Sequence, residues 1–93
     1  MRQVRAALPK SRLAILEAGW ATTGSEFGER ASEEAQARYY REMSAWSAKA
    51  NITVFFFEAF DEPWKGDPGN ASGAEKHWGL WFESRKPKKA LGT

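Results

Sequence analysis

The sequence predicts an α/β fold, and three observations carry that prediction. Two short apolar runs, Leu13-Ala14-Ile15-Leu16 and Ile52-Thr53-Val54-Phe55-Phe56-Phe57, do not alternate polar with apolar residues. That is the pattern of strands covered on both faces, as in a parallel sheet flanked by helices. The segment between them, about residues 32–49, repeats its apolar positions with a helical period. The 35 residues separating Leu16 from Ile52 leave room for a crossover helix, so the three segments make one right-handed βαβ unit.

Each element has a local reason. Residues 1–8 read as the last turns of a helix ended near Pro9, which cannot continue it. In the long helix, Ala35, Tyr39, Met43, Trp46 and Ala50 recur at spacings of 4, 4, 3 and 4 and define the face turned to the core. Trp46 is expected inside. Ser32 stands where an N-cap is needed, and Glu33 and Glu34 complement the positive end of the helix dipole. Glu34 and Arg38, four residues apart, are expected to pair on the wet side. Phe55, Phe56 and Phe57 are expected as core. From Asp61 to Gly79 the residues Pro63, Gly66, Pro68, Gly69 and Gly73 mark a long loop, with Asp67-Pro68-Gly69-Asn70 as a turn inside it. Residues 78–82 suggest a short extended piece, and Arg85-Lys86-Pro87-Lys88-Lys89 a solvated basic tail.

Composition narrows the function classes. The chain has 93 residues, enough for one small domain. Its 14 Lys and Arg against 12 Asp and Glu leave a formal charge of +2, which is no electrostatic footprint for a nucleic acid. Cysteine is absent and His77 is the single histidine, so thiolate and histidine-rich metal sites are excluded. No metal or cofactor is expected. No apolar stretch approaches the roughly 20 residues of a membrane span.

A carboxylate follows each apolar run at once: Glu17 after Leu16, and Glu58 after Phe57. In parallel α/β architectures the C-terminal strand ends carry the chemistry. Eight of the aromatic residues fall between Phe55 and Phe82, interleaved with Glu58, Glu62 and Glu75. Carboxylates among tryptophans suit sugars, because rings stack on pyranoside faces while acids bind hydroxyls or act as acid, base or nucleophile. Trp20, Trp64 and Trp78, beside acids and glycines, are the expected ligand-facing rings. His77 is expected to be a hydrogen-bonding loop residue.

Leu16-Glu17-Ala18-Gly19-Trp20, then Phe57-Glu58-Ala59-Phe60-Asp61-Glu62-Pro63-Trp64-Lys65, then Glu75-Lys76-His77-Trp78-Gly79-Leu80, resemble glycoside hydrolase family 17. The likeness is greatest to its bacterial β-1,3-glucanase and β-1,3-glucanosyltransferase branch, and it runs from about Arg12 to Lys88. Ala21 stands where the family often has a proline. The resemblance implies a retaining (β/α)8 barrel acting on β-1,3-linked glucan. Such a barrel takes roughly 250 residues, so the chain is expected to hold its C-terminal part, about strands seven and eight. Residues 1–93 are then one partial catalytic domain with no second domain. The resemblance makes Glu17 the catalytic nucleophile and puts Glu62, Lys65 and Glu75 in the sugar site; Trp20, Glu58, Trp64 and Trp78 are expected to line it from their strand-end and loop positions, with Lys65 the expected cationic neighbour of Glu17. The general acid is implied to lie on strand four, outside these residues, so the chain alone is expected to be inactive.

The implied partner is a β-linked glucan or oligosaccharide. The implied setting is extracytoplasmic or at the cell envelope. Two other readings of the same residues remain open here: another retaining barrel β-glycosidase, and a non-catalytic carbohydrate-binding or interaction fragment.

Overall fold

The computed structural model describes residues 2–92. The order is α1 (Arg2–Ala7), β1 (Ala14–Ala18), α2 (Glu33–Ala50) and β2 (Thr53–Phe56), with three single-turn 3-10 helices at Gly28–Arg30, Ala74–Lys76 and Lys89–Leu91. β1 and β2 are parallel neighbours, so the predicted βαβ unit is present. The helix begins as the sequence dictates: Ser32 is extended, and its hydroxyl accepts the Ala35 N–H at 3.0 Å. It ends at Asn51, which takes the left-handed conformation at φ 55°, a position asparagine tolerates.

The register is Ala14 to Thr53, Ile15 to Val54 and Ala18 to Phe56. Between Ile15 and Ala18, β1 thus advances three residues while β2 advances two. The extra residue falls in the Leu16–Glu17 segment, and a bulge there re-aims side chains at the strand end. Gly19 then lets the two strand ends close. A Cβ on it would lie 2.1 Å from the Phe57 carbonyl oxygen and 3.1 Å from the Trp78 ring.

The long loop is ordered by local bonds. Asn70 N–H donates to the Asp67 carbonyl at 3.0 Å, and Gly69 N–H donates to Asp67 Oδ1 at 2.8 Å, which closes the expected turn. Residues 58–61 and 78–81 lie side by side through four backbone bonds of 2.8–3.1 Å: Glu58 to Trp78, Leu80 to Glu58, Trp81 to Ala59, and Asp61 to Trp81. Residues 78–82 do not form a strand, and Trp81 makes isolated bridges with Phe60 and Pro87 instead.

Four sequence expectations change. The strands are not covered on both faces: Leu16 is 74% and Phe55 55% exposed, because α2 packs on one side only, through Tyr40 against Phe56 at 4.6 Å. Trp46 lies on the surface at 38% exposure. Glu34 pairs with Lys89 rather than Arg38, which pairs with Glu42 at 2.9 Å. The basic run is no free tail, since Lys88 within it is fully buried. No helix among the described residues is long and apolar enough to cross a membrane.

Candidate active site

Four side chains meet where the strands end. Glu17, Phe57, Glu75 and Trp78 line one open hollow of about 440 Å³, with Tyr39 of α2 and the backbone of Ala18 and Gly19. Glu17 is exposed there at the bulge of β1, and Glu75 reaches the hollow from the 3-10 turn Ala74–Lys76. Phe57 and Trp78 meet edge to face with ring centroids 6.2 Å apart. Phe57 is therefore a wall of the hollow, whereas its place at the end of an apolar run suggested core.

A second hollow of about 280 Å³ opens on the other side of Gly19 and Trp78, lined by Trp20, Phe27 and Arg30. Trp20 is fixed by two contacts: its Nε1–H donates to the Arg30 carbonyl at 2.7 Å, and its ring packs on Tyr39 at 5.3 Å. Trp78 borders both hollows and Trp20 only this one.

The acids after β2 form a charged cluster. Lys65 Nζ is in an ion pair with Glu62 and lies 3.6 Å from Glu58 Oε1. It also sits 4.9 Å from the centre of the Phe57 ring, which joins the cluster to the wall of the first hollow. Burial pushes the Glu58 carboxyl above its ordinary value, and the neighbouring Glu62 charge adds to the rise against the pull of Lys65. The hydrogen bond to Glu62 raises Lys65 in turn. Lys65 thus serves Glu58 and Glu62, not the expected role beside Glu17. Glu58 Oε2 and Trp78 Nε1 are buried without a protein hydrogen-bond partner, which leaves an acceptor and a donor uncommitted. Trp64 is not drawn in: it stands 71% exposed on the following turn.

Several supporting residues carried no sequence signal of their own. Gln36 is buried on α2 and its Nε2 donates to the carbonyls of Trp20 at 3.0 Å and Gly79 at 2.9 Å. Its neighbours on the apolar face gave a helical period, but a lone glutamine beside that face looks like any solvated residue. Asp61, Thr22 and Lys88 form a buried polar centre, hidden in a loop, a polar pair and a basic run. His77 is a hydrogen-bonding loop residue as expected, with Nε2 2.9 Å from the Ala71 carbonyl. Among the described residues no group of three or more acids and histidines is placed to hold a metal ion.

The model of the BtgE/BtgC glycoside hydrolase domain matches residues 1–79. A glucan 1,3-beta-glucosidase of Arthroderma benhamiae is 44% identical over 86 residues, which cover 82% of this chain and 26% of that protein. The crystal structure of a glycoside hydrolase family 17 beta-1,3-glucanosyltransferase from Rhizomucor miehei superposes with a TM-score of 0.78 at 31% identity, over 96% of this chain and 32% of the other. An active-site mutant of the same enzyme in complex with laminaritriose gives a TM-score of 0.77 at 30% identity, again over 96% and 32%. The chain spans about a quarter of the length of the curated relatives it matches. With a matched family model, shared sequence and a shared fold in agreement, the chain belongs to the BtgE/BtgC glycoside hydrolase domain family, within glycoside hydrolase family 17.

Proposed function

We propose that the chain is one partial catalytic domain of a retaining β-1,3-glucan hydrolase or glucanosyltransferase, with β1 and β2 as strands seven and eight of a (β/α)8 barrel. One observation carries this reading: Glu17, Glu75, Phe57 and Trp78 wall a single hollow at the C-terminal ends of two parallel strands. A carboxylate, a second acid and two rings there suit a bound pyranoside. The substrate class is supported by relatives named as glucan 1,3-beta-glucosidases and by the laminaritriose complex of the structural neighbour. An extracytoplasmic or cell-envelope setting belongs to the same proposal and rests on the family resemblance.

In the first step the Glu17 carboxylate attacks the anomeric carbon, forming a glycosyl ester as the glycosidic bond breaks. An acid from an earlier strand of the barrel protonates the departing oxygen. In the second step that group, now a base, takes a proton from water or from an acceptor sugar, and the ester is cleaved. Water gives hydrolysis and a sugar hydroxyl gives transfer. Glu58, Glu62 and Glu75 accept hydrogen bonds from sugar hydroxyls, and Trp78 Nε1 donates one. Lys65 holds Glu58 and Glu62 in place and balances their charge. Trp20, Trp78 and the exposed Trp64 offer rings for stacking. None of these steps calls on a metal or cofactor.

In the complete barrel protein, Glu17→Gln should lower turnover of β-1,3-glucan by at least about a thousandfold, in the range seen when a nucleophile is removed. Laminarioligosaccharide binding should survive. Near-parental turnover in this variant would overturn the assignment.

A further inference from the structure

The three segments that build the site meet again at one buried point behind it. The Lys88 side chain is fully buried, and its Nζ donates to Asp61 Oδ1 at 2.7 Å and to Thr22 Oγ1 at 2.8 Å. The same Asp61 oxygen accepts the Gly79 N–H at 2.9 Å. The remaining ammonium face lies 5.0 Å from the centre of the Phe82 ring, and the Lys88 backbone N–H donates to the Leu80 carbonyl at 2.9 Å. Thr22 comes two residues after Trp20, Asp61 three after Glu58, and Gly79 directly after Trp78. The ammonium therefore ties together the segments that follow β1 and β2, and Asp61 extends the tie to the segment that carries Trp78.

We infer that Lys88 is a positioning residue for the proposed glucan chemistry, acting through Asp61 and Thr22 to hold Trp20, Glu58 and Trp78 in register. Stability alone does not account for such a centre. Well-packed apolar residues of similar volume generally stabilise a core as well as a buried ion pair, or better. Directed bonds to three segments supply what apolar packing does not, a fixed relative placement. The Gly79 position has no slack, since a Cβ there would lie 2.3 Å from the Asp61 nitrogen and 2.5 Å from the Trp81 carbonyl oxygen. Misplacement of catalytic groups by about 1 Å can cost on the order of a hundredfold in rate.

The inference rests on the glucanase reading, and two variants of the complete protein test it. Lys88→Met combined with Asp61→Asn removes both charges and keeps an acceptor for the Gly79 N–H, so it should melt close to the parent. Its kcat on laminarin should nevertheless fall by about 10- to 100-fold, with KM changed much less. Thr22→Val keeps the ion pair and the shape but takes one acceptor from the buried ammonium, so it should fold with a lowered melting temperature and lower kcat by roughly threefold or more at a temperature where it is fully folded; it decides the matter if the double variant does not fold. Parental kcat in a folded double variant, or in Thr22→Val where the double variant is unfolded, would overturn the inference while leaving the glucanase reading intact. A parent protein that does not act on β-1,3-glucan would overturn both.

Discussion

The strand-and-helix half of the molecule and its loop half are held by different forces. In the first, β1, α2 and β2 bring large apolar side chains together, as at Tyr40 and Phe56, and leave Leu16, Phe55 and Trp46 open to solvent. Its buried apolar members, Ala18, Ala21 and Ile52, are few. In the second, the buried side chains are mostly polar: Asp61, Lys76 and Lys88 there, and Thr22 and Gln36 reaching in from the first half. Lys76 Nζ donates to the Asp67 carbonyl at 2.6 Å, so its charge fastens a loop turn. The proposed site lies on the seam, with Glu17 from the apolar half and Glu58, Glu75 and Trp78 from the polar one. Apolar strands set where the hollow opens, and polar ties fasten the loops around it.

That contrast breaks most sharply at Lys88. In the complete protein, Lys88→Met alone leaves Asp61 buried without its cation and should cost about 3–5 kcal/mol in urea unfolding. A loss below about 1 kcal/mol would mean the loop half does not depend on the pair.

A smaller effect sits at Glu58. Its folded-state value is raised, so the folded protein binds this proton more tightly than the unfolded chain does. The stability it adds is full below its ordinary value of 4.5 and is lost as pH rises through the raised value. Glu58→Gln does not titrate. The stability of the parent relative to this variant should therefore decline as pH climbs upward from 4.5, and parallel profiles would remove the desolvated acid from the account.

At the low end stand the exposed apolar residues of the chain as described. In the 93-residue chain alone, Leu16→Thr or Phe55→Thr should change the unfolding free energy little, within about 0.5 kcal/mol, and should reduce aggregation. A loss of several kcal/mol in either variant would place that side chain inside a core.

How much was legible follows the same division. The two runs of apolar residues, the Ser32 cap and the 4-4-3-4 spacing are local signals, and they located β1, α2 and β2 and the acids that end the strands. The coverage of those strands was not legible, because a run of apolar residues records what a strand is made for and not which neighbours stand beside it. The polar centre was not legible either. Lys88 sits among four other residues of a basic run, and only its bonds to Asp61 and Thr22, 27 and 66 residues away, separate it from them. The grouping of Glu17 with Glu75 across the hollow became readable through the resemblance of three ordered segments, since no local pattern links residues so far apart. Trp64 stands beside Glu62 and Lys65 in sequence, yet it is largely exposed while they form an ion pair.

Covalent trapping tests the central claim, that the carboxylate ending β1 is the nucleophile, most directly. The complete protein would be incubated with a 2-deoxy-2-fluoro β-laminaribiosyl fluoride, digested with trypsin and examined by mass spectrometry. The account predicts the added glycosyl mass on the peptide 13–30, with fragmentation placing it on Glu17. Time-dependent inactivation with the label on Glu58, Glu62 or Glu75 would contradict it, as would turnover of the reagent with no ester formed at Glu17.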